Sequence, residues 1–188
     1  MSPLVLTLAG LWNSGPQHWQ THWEARHPQW SRVPHREWQT PDKDEWVAEL
    51  DRAIAACERA PVLAAHSLAC TLVAHWAASG SPYRIAGAFL VAPSDVEAPS
   101  YPSGTTGFSP MPLQALPFPS LVVASGDDPY VSFARARAFA AAWGSDFTMI
   151  GDAGHINGDA GHINGDAGYG PWPDGEQLLL DFCAAHQP

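Results

Sequence analysis

The sequence predicts an α/β fold: a doubly wound, mostly parallel sheet of about six strands flanked by helices. Short apolar runs of the kind buried on both faces alternate with amphipathic helical stretches along the chain. Strands separated by helices pair in parallel, because a parallel neighbour is reached only through a crossover. The composition, 46% apolar and 15% charged over 188 residues, suits one globular domain spanning 1–188.

The elements follow in order. LVLTLAG, residues 4–10, is a continuous apolar run closed by glycine, as in a buried strand. The loop WNSGPQ leads to a short helix over His18 to His27, and SRVPH is a weak candidate strand. PDKDEWVAELDRAIAACERA reads as a helix opened by Pro41, with acids in its first turn and Trp46, Val47, Leu50 and Ile54 on one face. PVLAAH is a strand, Ser67 follows it, and LACTLVAHWAAS is a helix with Leu68, Leu72, Val73 and Trp76 on one side. IAGAFLVAP and SLVVASG are further strands, FARARAFAAAWG is a helix ending at Gly144, DFTMIG is a last short strand, and DGEQLLLDFCAAH is a closing helix. Residues 93–119 contain seven prolines and no usable periodicity, a long loop of the kind that borders active sites.

Several functions are disfavoured. A formal charge of -10, with Lys and Arg scattered, would repel phosphate backbones, so nucleic-acid binding is not expected. No stretch approaches the ~20 apolar residues of a membrane span, and MSPLVLTLAG lacks the basic leader and long apolar run of a signal peptide. A cytoplasmic protein without membrane association is expected, and no signal specifies an oligomeric state. Cys57, Cys70 and Cys183 lack disulfide or zinc spacing and read as buried thiols. His18 and His22 share the i, i+4 spacing of a zinc helix, but HWQTH lacks the glutamate of HExxH, so they read as structural and no metal is expected.

The candidate chemistry centres on AHSLA. A nucleophilic serine on a sharp strand-to-helix turn needs small residues two before and two after it, because the two backbones nearly touch, and Ala65 and Ala69 meet that need. The string alone also fits a serine that caps the following helix. Its place between a buried strand and an amphipathic helix favours the nucleophile. A serine nucleophile needs a base, and the base an orienting acid. SLVVASGDDPYVS offers an acid at the end of one later strand and MIGDAGH a histidine after the next, where open α/β sheets bind ligands.

With these parts, LAGLWNSGPQHWQTHWE, LAAHSLACTLVAHWA, FLVAPSDVE, PFPSLVVASGDDPYVSFARA and GHIN with GYGPWPDG resemble the small α/β-hydrolases of the YdeN and retinoblastoma-binding-protein-9 group over nearly the whole chain. The resemblance implies a compact, lidless α/β-hydrolase fold and a Ser-Asp-His triad on Ser67, Asp128 and a histidine of the repeat. Ala69 departs from the family's usual second elbow glycine. The heptad GDAGHIN, present twice in succession, is the second departure, since it offers both His155 and His162.

Of the two acids in DDPY, Asp128 precedes Pro129, which biases it to an extended conformation, and the family places its acid immediately before that proline. Asp127 is then expected to make backbone or cation contacts at the loop's edge. Of the two histidines, His155 follows the strand after the link GDAG, which resembles the family's short strand-to-histidine link, whereas His162 would insert seven more residues between strand and base. A glycine-rich insert would hold the imidazole less firmly. His155 is the expected base, with the second heptad bulging outward and His162 exposed and dispensable; the alternative is that the first heptad loops out and His162 enters the site.

Two backbone N–H groups are expected to form the oxyanion hole: Leu68, beside the nucleophile at a helix N-terminus, and Leu11, in the loop after the first strand. Gly10 could simply end that strand. Trp12 and Asn13 are expected to line the pocket, with Trp12 narrowing it where the family often has glycine. His66 lines the pocket by position, and Phe108, Met111 and Leu113 are the residues of the proline-rich stretch expected to face substrate. The expected function is a serine hydrolase acting on a small-molecule ester or related acyl substrate through an acyl-enzyme, with no cofactor. The alternative is a catalytically weak or inactive hydrolase-fold module for binding or regulation, because fold does not fix function.

Overall fold

The protein is described from a computed structural model, which covers residues 2–157 and 170–187. Among the described residues six strands form one parallel sheet: β1 (Val5–Leu8), β2 (Trp30–Arg32), β3 (Val62–His66), β4 (Gly87–Val91), β5 (Ser120–Ala124) and β6 (Asp146–Met149). Their spatial order is β2-β1-β3-β4-β5-β6. The chain therefore winds one way from β1 to β2 and the other way from β3 onward. The crevice at the carboxyl ends of β1 and β3, where direction switches, is the expected ligand position in such a sheet.

Alternation along each strand sends side chains to two cores. Leu6, Leu8, Leu63, Ala65, Leu90 and Val122 pack with α2 (Lys43–Ala55), α3 (Leu68–Ala78) and α4 (Phe133–Trp143). Val5, Val62, Ala64, Phe89, Val91 and Val123 pack with α1 (Trp19–Arg26) and α5 (Pro173–His186). The central strands are buried on both faces, which is why they read as unbroken apolar runs.

Local chemistry sets the helix ends. Asp42 caps α2 by accepting the N–H groups of Asp44 and Glu45. Ser132 caps α4 by accepting from Arg135, and Gly144 ends it in the left-handed conformation (φ 68°). Element ends differ from expectation by a few residues, most at β2 and at α2, which begins at Lys43 with Pro41 just before its cap. β2 starts at Trp30 and ends at Arg32 rather than spanning SRVPH, since Trp30 is buried and Pro34 has no N–H for a ladder. α2 stops at Ala55, and the Ala56 and Cys57 N–H groups close its last turn before the chain enters β3.

The proline-rich stretch is pinned to this frame. Backbone bonds join Thr106 to Pro41 and Lys43, the His75 Nε2–H donates to the Phe108 carbonyl (2.9 Å), and the Trp143 Nε1–H donates to the Pro112 carbonyl (2.8 Å). Phe108 and Met111 are consequently core residues beside α2 and α3 and not part of the pocket wall. Burying such side chains is worth about 1.5–3 kcal/mol each, which favours folding them inward over presenting them at a wet rim. Leu113 is exposed and lies away from the pocket. Among the described residues no helix is long and apolar enough to cross a membrane.

Candidate active site

Ser67 joins β3 to α3 with φ 58° and ψ -123°, an unfavourable conformation for a residue with a Cβ. Its N–H is held by the Val91 carbonyl of the adjacent strand (3.0 Å). The side chain makes no capping bond to α3. Its Oγ lies instead 2.7 Å from His155 Nε2, so the hydroxyl is directed across the crevice and away from the helix. Ala65 and Ala69 are both fully buried at the turn, where a larger side chain would have to displace core.

His155 stands in the loop after β6, and its Nδ1–H donates to both Asp128 oxygens (2.8 and 2.9 Å). Asp128, just after β5, also accepts the Tyr130 N–H (2.8 Å), and its side chain is fully buried. The carboxylate is thus held by backbone while it orients the imidazole. The Tyr130 ring packs on the His155 ring, with centroids 4.6 Å apart. Serine, imidazole and carboxylate form one continuous chain of hydrogen bonds.

The loop carrying His155 is anchored from β5. Ser125 Oγ accepts the Ala153 N–H, and Asp127 Oδ1 accepts the Gly154 N–H, each at 2.8 Å. Ser125 also donates to Asp127 (2.8 Å); that bond, followed by the Gly154 N–H, holds the Asp127 carboxyl below the usual aspartate range. Asp127 therefore serves the backbone of the histidine loop. Residues 158–169, including His162 and the outward bulge expected for the second heptad, lie outside the described residues.

Across the crevice, Gly10 passes close to Ser67. A Cβ on Gly10 would lie 2.9 Å from the Ser67 Cβ, 3.0 Å from the His66 carbonyl oxygen and 3.4 Å from the Leu68 nitrogen. The absence of a side chain is a steric requirement here and does more than end a strand. The same approach sets Gly10, which Leu11 directly follows, beside the Leu68 N–H. Trp12 and Asn13 follow with φ of 67° and 66°.

Residues 5–162 match the serine hydrolase family. The chain belongs to that family. Similar solved structures include a YdeN-like hydrolase from Pectobacterium atrosepticum, 35% identical, TM-score 0.82, covering 99% of this chain and 94% of that one. The ydeN gene product of Bacillus subtilis is 17% identical with a TM-score of 0.73, covering 97% and 100%. Esterase 2 of Thermogutta terrifontis is 17% identical with a TM-score of 0.68, covering 98% and 83%, and shares the fold. No curated protein matches the sequence.

In this serine hydrolase the crevice opens into a pocket of about 150 Å³ beside Ser67 and His155. Trp12, Asn13 and His66, expected at the pocket, line it together with Leu11; Trp12 stands partly exposed at the rim. Asn13 Oδ1 accepts from the Ser14 N–H and from Arg32, which fixes its amide. Tyr101 and Pro102 line the pocket where Phe108 and Met111 were expected, and Tyr130, His18 and Asn157 join them. Tyr130 carried a signal, since it stands two residues after the acid at a strand's end. Tyr101 and Pro102, in an aperiodic loop, carried none. Burial pushes the Tyr101 hydroxyl up to about 12, so it stays protonated.

Proposed function

We propose that this family member is a carboxylesterase-like serine hydrolase acting on small acyl substrates, with Ser67, His155 and Asp128 as its triad. The observation that carries the reading is the 2.7 Å contact between Ser67 Oγ and His155 Nε2 in a serine that does not cap its own helix. Ser67 attacks the acyl carbon while His155 Nε2 takes its proton, and Asp128 stabilises the imidazolium through Nδ1–H. The Leu11 and Leu68 N–H groups receive the charge that develops on the acyl oxygen. Collapse breaks the bond to the leaving group, which takes the proton from His155. Water, deprotonated by the same imidazole, then releases the acid and restores the serine. No step of this sequence calls on a cofactor.

Pocket size supports a small acyl group. A cavity of this volume is comparable to one that holds a single benzene ring, roughly 150 Å³. Leu11, Trp12 and Pro102 supply apolar wall, and the neutral Tyr101 and Tyr130 hydroxyls supply polar points. The Thermogutta esterase is known with butyrate bound and phosphonylated by cyclosarin. The test takes the same two forms: labelling of the protein by a fluorophosphonate probe, and hydrolysis of 4-nitrophenyl esters of increasing chain length. Ser67→Ala should abolish both while leaving the melting temperature near that of the wild type. A Ser67→Ala protein that still labels refutes the assignment, and a wild type that neither labels nor hydrolyses points to a binding module.

A further inference from the structure

His66, the last residue of β3, aims its Nε2 at the backbone carbonyl of His155, 2.8 Å away. A carbonyl oxygen only accepts, so His66 carries its proton on Nε2 and its lone pair on Nδ1. Burial, and then the nearby His155, push its pKa down to about 3, which keeps the ring neutral. His18 stands edge-on to it, with centroids 4.8 Å apart. The His18 tautomer is fixed separately, because its Nδ1 accepts the Gln20 N–H at the start of α1 (3.2 Å). Neither ring can adopt the other neutral tautomer without breaking the backbone bond it already makes.

We propose that His66 is a positioning residue: its Nε2–H holds the His155 backbone so that the imidazole reaches Ser67 and Asp128 together. The inference rests on the triad reading above. The loop needs such a hold because GDAG, just before His155, contributes little side-chain bulk of its own. Ser125 and Asp127 fix Ala153 and Gly154 on one side of the base. On the other side two ring donors catch consecutive carbonyls, His66 that of His155 and the Trp19 Nε1–H that of Ile156 (2.9 Å). Since His66 directly precedes Ser67, the bond ties the base's backbone to the nucleophile's own neighbour and fixes their separation more directly than contacts through the sheet.

The experiment compares wild type, His66→Gln and His66→Leu on one 4-nitrophenyl ester. It also records the low-field proton resonance of His155 Nδ1–H, which reports the bond to Asp128 whether or not substrate turns over. Gln can donate from its Nε2 at similar reach, whereas Leu keeps bulk without a donor. His66→Leu should lower kcat by ~10²-fold, the effect of an error near 1 Å. The resonance should broaden or vanish. His66→Gln should recover most of the rate and the resonance. Equal losses in the two variants, or wild-type kcat and an intact resonance in His66→Leu, overturn the proposal. If the leucine variant does not fold, His66→Gln is compared with His66→Asn, whose shorter amide falls short of the carbonyl: the glutamine variant should be the faster, and equal rates overturn the proposal. Failure of the wild type to hydrolyse any ester would refute the proposed function, while the resonance would still decide the role of His66.

Discussion

At Asp127 and Asp128 two adjacent carboxylates take different jobs because one points into the crevice and the other along the loop edge. Asp128 receives the imidazole N–H and the Tyr130 N–H, and Asp127 receives the Gly154 N–H and the Ser125 hydroxyl. Asp128→Asn should therefore lower kcat by ~10⁴, the size seen when a triad loses its orienting carboxylate. Asp127→Ala should loosen the loop and lower kcat by at most ~10². Steady-state kinetics of both variants checks the pair, and equal losses would reverse the assignment. Gly10 is the other position where single atoms decide. Gly10→Ala would push its Cβ against the Ser67 Cβ and the His66 carbonyl, neither of which is a flexible end. A kcat loss of ~10² is expected from displacement of the nucleophile. Near-wild-type kcat in a folded Gly10→Ala protein would show that the elbow tolerates the shift.

Between elements, the proline-rich stretch divides its work. Tyr101 and Pro102 reach the pocket, while Phe108 and Met111 close the core over α2 and α3, with the Phe108 ring edge-on to Trp46 (centroids 5.6 Å apart). Phe108→Ala should cost about 3–5 kcal/mol of stability, as large-to-small changes in cores do, and leave acyl-chain preference unchanged. Tyr101→Ala should widen the pocket and shift preference toward longer chains, at a smaller cost in stability because Tyr101 is only partly buried against the core. Urea denaturation together with a chain-length series separates the two. A changed preference in Phe108→Ala would return that residue to the pocket wall. The elbow belongs to the same scale: Ala69 is buried where β3 and α3 nearly meet, and it is accommodated without a glycine.

For the molecule as a whole, buried neutral imidazoles tie stability to pH. His66 ionises near its ordinary value of 6.5 when unfolded and at about 3 when folded, chiefly because burial disfavours the cation. The unfolded chain then binds the extra proton first, so this contribution is fully present above 6.5 and is lost as pH falls toward 3. At pH 5, 1.5 units below 6.5, the loss from His66 is about 2 kcal/mol at about 1.4 kcal/mol per unit. His18, also lowered first by burial and next by His66, acts in the same direction. Denaturation at pH 7 and pH 5 should show the wild type weakening more than His66→Gln over that interval. Identical pH dependence in the two proteins would exclude His66 as a source.

Features that repeat locally, or that follow one another in order along the chain, can be read from the residues alone. The alternation of apolar runs and amphipathic helices, the small residues around Ser67, and the succession of serine, acid and histidine at strand ends were all legible. The link GDAG pointed to His155 as the histidine to test, and the structure brings that residue to Ser67. Tertiary structure decided what depends on partners far along the chain. Ser67 and His155 are 88 residues apart, and His66 meets the His155 carbonyl across 89. Whether a serine caps its helix or faces an imidazole is a choice among distant hydrogen-bond partners, and no local pattern records it. The same holds for residues 93–119, where Phe108 and Tyr101 differ in fate because one meets the gap between α2 and α3 and the other the crevice. Periodicity tells which face of an element is buried. An aperiodic loop has no such face until the rest of the fold supplies the surfaces against which it packs.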